Sequence, residues 1–87
     1  MHRFFTQLFV LFVLILGAYA HAAPVNVNTA TMEQLVDNLK GIGAHKAQAI
    51  IDYREQHGDF HKLDDLLKVK GIGPTTLREN EQDFLFE

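Results

Sequence analysis

The sequence predicts a small all-α domain built from two similar halves, and three observations carry that prediction. The tetrapeptide Lys-Gly-Ile-Gly occurs twice, as Lys40-Gly41-Ile42-Gly43 and Lys70-Gly71-Ile72-Gly73. Each copy lies between stretches whose apolar residues recur at helical spacing, and nowhere does the chain alternate apolar and polar residues long enough to predict a sheet. Set over each other at an offset of thirty residues, the halves align Leu39 with Val69, Lys40 with Lys70, Ile42 with Ile72 and Ala47 with Leu77. Each half reads as helix, glycine hairpin, helix. Neither buries its apolar face alone, so the two are expected to pack about a pseudo-twofold axis and share Leu35, Leu39, Ile42, Ile50, Phe60, Leu66, Leu67 and Ile72 as one core.

The first element expected is a leader. Residues 1–22 combine a basic start at Arg3, an apolar run from Leu8 to Leu16 and the small-residue site Ala20-His21-Ala22, the order of a secretory signal peptide. Cleavage is expected after Ala22 or after Ala20 and leaves no stable membrane anchor. As a span, the run from Phe4 to Ala20 is interrupted by Thr6 and Gln7 and falls short of the ~20 residues that cross a bilayer. Residues 23–30 follow as a short extended lead.

The first helix starts at Thr31, with Gln34 three residues on as its capping-box partner and Leu35 and Leu39 on one face; Lys40-Gly41 ends it. The second and longest helix is expected over 44–57, with Ala47, Ile50, Ile51 and Arg54 at i, i+3, i+4 and i+7 and Gly58 as its stop. Phe60 plugs the core from the connector at 59–61. Leu63, Leu66 and Leu67 give a third helix its apolar stripe, and Val69 leads into the second hairpin. Pro74 suits the first position of a fourth helix, where no N–H donor is needed. The paired halves span 31–80, and 81–87 form an acidic and aromatic tail.

Two glycines flanking a buried aliphatic residue permit a tight turn, because glycine adopts positive φ and leaves the backbone bare to a ligand. A helix starts at once after each hairpin. Its first N–H groups lack intrahelical partners and carry the positive end of the helix dipole, so turn and helix start together can hold a phosphate. Two such sites suit a regularly repeating anion, such as a nucleic-acid backbone. A bulky side chain at Gly43 or Gly73 is expected to block that approach and to oppose positive φ. Four of the seven basic residues after the leader, Lys40, Lys46, Lys68 and Lys70, lie within a few residues of the hairpins, which favours phosphate contact over solvated decoration. Thr75 and Thr76 either cap the fourth helix or donate to phosphate.

The pattern Asn28-Thr29-Ala30-Thr31, Gly41-Ile42-Gly43, Ala47-Gln48-Ala49-Ile50-Ile51, Tyr53-Arg54, Gly58, Phe60, Asp65-Leu66 and Gly71-Ile72-Gly73 closely resembles the tandem helix-hairpin-helix domain of ComEA-type competence proteins, exported receptors for transforming DNA. The resemblance runs from Val25 to about Arg78, and the leader fits the soluble periplasmic branch of that family. It implies a tandem helix-hairpin-helix fold and sequence-independent binding of double-stranded DNA, each hairpin holding the phosphates of one strand across a minor groove. Carried over residue by residue, it implies contacts from the backbones of Gly41, Ile42, Gly43 and Ala44 with Lys46, and from Gly71, Ile72 and Gly73 with Thr75 and Thr76. An outer-membrane DNA-uptake pore and an inner-membrane DNA channel are the further partners such a role implies. Two departures stand out. Lys62 occupies a place where relatives often have a Ser or Thr helix cap, and the chain ends in an acidic stretch of Glu79, Glu81, Asp83 and Glu87.

The formal net charge is −3, and −4 once Arg3 leaves with the leader, which argues against indiscriminate binding of polyanions. Affinity for nucleic acid must therefore come from local placement of charge. No cysteine is present, which excludes disulfides, Cys-ligated zinc and a lipoprotein anchor. His57, Asp59, His61 and Asp64 read as surface residues, since structural zinc needs four well-placed ligands and this group straddles a helix end. Tyr53 is expected to pack at helical spacing, and Arg54 either pairs with Asp52 or Glu55 or contacts DNA. No catalytic residue, metal or cofactor is expected: the sequence has no nucleophile and base in convincing context, no acid pair beside the hairpins, and a length that leaves little room for a cleft. The competing function is a periplasmic protein-interaction module that keeps the fold without strong DNA binding and docks through Phe84-Leu85-Phe86; exposure of Phe84 and Phe86 would favour it. A small secreted nuclease, the third class, would betray itself by metal-dependent DNA cleavage.

Overall fold

The computed structural model describes residues 24–87, so the expected leader lies outside the described residues. The elements are β1 (Val25–Asn26), α1 (Met32–Asn38), α2 (Ala44–His57), a 3-10 helix (Leu63–Lys68), α3 (Pro74–Asn80) and β2 (Phe84–Leu85). Local signals set the helix ends. At α1, Thr31 Oγ1 accepts from the Gln34 N–H at 3.1 Å while the Thr31 N–H donates to Gln34 Oε1 at 3.0 Å, a reciprocal cap that satisfies two backbone donors. Gly58 stops α2 at φ +87°, a conformation that favours glycine, and donates its N–H to the Arg54 carbonyl at 2.9 Å. Pro74 opens α3.

The third helix is not α-helical. Its turns close over three residues, with Asp65 N–H donating to the Lys62 carbonyl and Val69 N–H to the Leu66 carbonyl, both at 3.1 Å. Asp65 provides the N-terminal cap that Lys62 cannot: its Oδ2 accepts from the His61 N–H at 2.9 Å and from the Lys62 N–H at 3.3 Å. At three residues per turn, Leu63, Leu66 and Val69 fall on one side and Leu67 turns outward. Leu67 is 45 % exposed and is not a core residue, contrary to expectation.

A small sheet was not expected, and its presence changes the standing of the lead and the tail. β1 and β2 pair in parallel, Val25 against Phe84 and Asn26 against Leu85. Val25 N–H donates to the Asp83 carbonyl at 2.7 Å and Val27 N–H to the Leu85 carbonyl at 3.1 Å. The lead and tail thus enter the core: Val25, Val27, Ala30 and Phe84 are buried beside the expected Leu35, Leu39, Ile42, Ile50, Phe60, Leu66 and Ile72, with Ala47, Val69 and Leu77. Each large apolar side chain so buried stabilises the fold by about 1.5–3 kcal/mol.

Two asparagines tie distant backbone together. Asn28 Oδ1 accepts from the Phe60 N–H at 2.6 Å and its Nδ2 donates to the Phe60 carbonyl at 2.9 Å. Asn80, with no exposed surface, does the same for Lys40: Oδ1 accepts from its N–H at 2.7 Å, and Nδ2 donates to its carbonyl at 2.8 Å and to that of Thr76 at 2.9 Å. Tyr53 packs as expected, stacked between His57 and Phe60 at ring-centroid distances of 4.1 and 5.2 Å. Arg54 does not pair with Asp52 or Glu55; its Nη1 donates to the Val27 carbonyl at 3.0 Å and helps hold the lead in place.

Candidate nucleic-acid interface

Both hairpins follow the same backbone path. The chain leaves the preceding helix in extended conformation at Leu39 and Val69, turns at the first glycine and buries the isoleucine. It then becomes extended again at the second glycine, which is the N-cap of the next helix. Positive φ lies at Gly41 (+70°) and Gly71 (+92°). Gly43 and Gly73, with φ of −92° and −115°, sit in extended backbone open to any residue, so the expectation of positive φ there is corrected. A Cβ built on Gly43 or Gly73 would meet nothing within 4 Å.

The first intrahelical bonds run from Ala47 N–H to the Gly43 carbonyl at 2.9 Å and from Leu77 N–H to the Gly73 carbonyl at 3.1 Å, and neither N-cap supplies a side-chain acceptor. The N–H groups of Ala44, His45 and Lys46, and those of Thr75 and Thr76, therefore lack intrahelical partners. Ala44 and Thr75 are exposed; Thr76 is half-buried. No side chain stands beside the second glycines, so a ligand can reach these donors directly.

The expected lysines differ in setting. Lys46 connects the hairpins: its Nζ donates to the Gly41 carbonyl at 3.2 Å, while its Cγ lies 3.5 Å from where a Cβ on Gly71 would stand. Lys40 and Lys70 are exposed, and the Lys40 backbone is held by Asn80. Lys68 lies 3.8 Å from the half-buried Asp65 but is itself exposed, so the pair is worth little and leaves the ammonium available. The sequence reading missed Asn80, which positions the first hairpin. One signal was present, since the offset of thirty aligns Asn80 with the core residue Ile50 and so places it on the inner face of its helix.

A family model described as a helix-hairpin-helix motif matches residues 20–85. The chain belongs to the helix-hairpin-helix family. It is 48% identical over 62 residues to an uncharacterized protein of Haemophilus influenzae, covering 71% of this chain and 55% of that one. It is 53% identical over 51 residues to ComE operon protein 1 of Bacillus subtilis, covering 59% of this chain and 24% of the relative, which bears out the resemblance to ComEA-type proteins. The human endonuclease/exonuclease/phosphatase family domain-containing protein 1 is 44% identical over 55 residues, 63% of this chain but 10% of that protein. This helix-hairpin-helix chain thus matches only part of each relative, from about half to a tenth of its length.

Proposed function

We propose that this protein is an exported, sequence-independent binder of double-stranded DNA that acts in the periplasm as a receptor or ratchet for DNA uptake. The observation that carries the reading is the pair of open second glycines, each followed by backbone donors that no side chain covers. A phosphate seated there gains N–H contacts and the positive end of the helix dipole without displacing protein atoms. Lys46, anchored between the hairpins, supplies a cation to the same face, with Lys40 and Lys70 at the hairpin entries. Such contacts neutralise and position phosphates and read no bases. Many copies bound along an entering duplex would bias its return diffusion, and a pore and an inner-membrane channel would then hand the strand on. Similarity to ComE operon protein 1 supports this reading, as does the secretory order of residues 1–22.

The protein-interaction module loses the feature that would have favoured it, because Phe84 is buried against the core and Phe86 packs partly on it. No catalytic role is proposed. The test is a titration of random-sequence duplexes at several salt concentrations. With about 3 to 5 phosphates neutralised, log affinity should fall against log salt with a slope of about −3 to −4, alike for unrelated duplexes. Affinity indifferent to salt, or strong preference for one sequence, would contradict the phosphate clamp.

A further inference from the structure

We propose that Glu79 is a built-in attenuator of the first hairpin, a carboxylate beside it that competes with phosphate and keeps DNA binding at that hairpin reversible. This role rests on the DNA-binding reading above. Glu79 Oε2 lies 3.8 Å from the position a Cβ on Gly41 would take, so the carboxylate stands against the first hairpin. Its neighbour Asn80 holds this end of α3 against the first hairpin, since the buried amide grips Lys40 through both its N–H and its carbonyl.

No structural benefit accounts for an acid in this place. Among the described residues Glu79 makes no ion pair within 4.0 Å, not even with Lys46, whose ammonium reaches the same glycine. Glu79 is exposed and is the penultimate residue of α3, the end at which a carboxylate opposes the helix dipole. Its electrostatic reach covers the site: Gly41 and Gly43 are two residues apart, at most about 7.6 Å. A phosphate at the start of α2 therefore falls well within the Debye length of about 30 Å at 0.01 M salt.

The hairpins are similar in backbone, but only the first has a carboxylate against its positive-φ glycine. The thirty-residue offset aligns Glu79 with the uncharged Ala49, and the side chain laid against Gly71 is the stem of Lys46. Lys46 serves both hairpins, its ammonium on the Gly41 carbonyl and its stem against Gly71; the carboxylate beside the first alone makes that one the weaker grip, able to release while the second holds.

The experiment compares duplex binding, by fluorescence anisotropy, for the parent, Glu79→Gln and Glu55→Gln. Glu55 removes the same charge from the far end of α2, eleven residues or about 16 Å from Ala44. Glu79→Gln should bind about three- to tenfold tighter at low salt, with a gain that shrinks as salt screens the charge, whereas Glu55→Gln should change affinity by less than about twofold. Adding Gly43→Val should abolish the gain. Equal affinities for parent and Glu79→Gln, or equal gains from both substitutions, overturn the attenuator while leaving DNA binding intact. If neither the parent nor Glu79→Gln binds duplex, the DNA-binding reading falls and the attenuator with it.

Discussion

Each hairpin needs its two glycines for different physical reasons. Gly41 and Gly71 occupy the left-handed region, where a residue with a Cβ costs about 1–2 kcal/mol and a branched one more. Gly43 and Gly73 occupy ordinary extended backbone with empty space beside them, so a side chain there spares the fold and, under the proposed phosphate contact, obstructs the ligand. The double variant Gly43→Val/Gly73→Val should therefore stay folded, losing at most about 1 kcal/mol per site from a poorer N-cap, yet bind duplex at least about tenfold more weakly. Gly41→Val/Gly71→Val should lose more stability than that pair. Urea unfolding and anisotropy on both variants check the division; a folded Gly43→Val/Gly73→Val that binds as the parent does would remove the hairpins from the site. The repeat in the sequence made the turns legible, but not which glycine bends, because Gly-x-Gly specifies a turn without specifying its φ angles. Asn80 was hidden for a related reason. An asparagine near a helix end reads as a local cap or turn residue, while its actual partner, Lys40, is forty residues away.

Among the elements, those written by short-range chemistry were legible. The Thr31 and Gln34 cap, the Gly58 stop and Pro74 at the first turn of α3 all act within four residues and appear where the sequence puts them. The 3-10 helix was misread because Leu63, Leu66 and Leu67 suit an α-helical stripe, whereas the structure uses a period of three and hangs the segment on Asp65. The His61 N–H bond is the main cause holding the Asp65 carboxyl below its ordinary value of 3.8, aided by the Lys62 N–H and the charges of Lys68 and Lys62 and opposed by burial. Folding thus favours the ionised form. Its contribution to stability is complete above the unfolded value and is lost as pH falls through the lower, folded one. As pH falls below about 5, the urea midpoint of the parent should drop more steeply than that of Asp65→Asn, so that the two converge in acid. Parallel curves would show that Asp65 does not anchor the 3-10 helix as its ionised form.

At the scale of the whole molecule, the lead and the tail close the fold. A lead and tail without helical periodicity gave no sequence signal of this, since a two-residue parallel pair joins Val25 to Phe84 across nearly the full described length. With β1 and β2 in place, Val25, Val27 and Phe84 complete the core that two short half-units cannot finish alone. The consequence separates a structural tail from a docking tail. Phe84 is 7 % exposed and Leu85 38 %. Replacing Phe84 by alanine should cost about 3 kcal/mol, which for a domain of this size lowers Tm by about 12–24 °C, whereas Leu85→Ala should move Tm by only a few degrees. Phe84 belongs to the strand pair and to neither hairpin, so Phe84→Ala measured well below its Tm should bind duplex with the parent's affinity and salt slope. Calorimetry and anisotropy on the two variants decide the matter. An unchanged Tm for Phe84→Ala would take the tail out of the core and return it to the protein-interaction reading, while a large drop with DNA binding intact assigns the aromatic tail to folding and leaves the hairpins as the place where the protein meets its ligand.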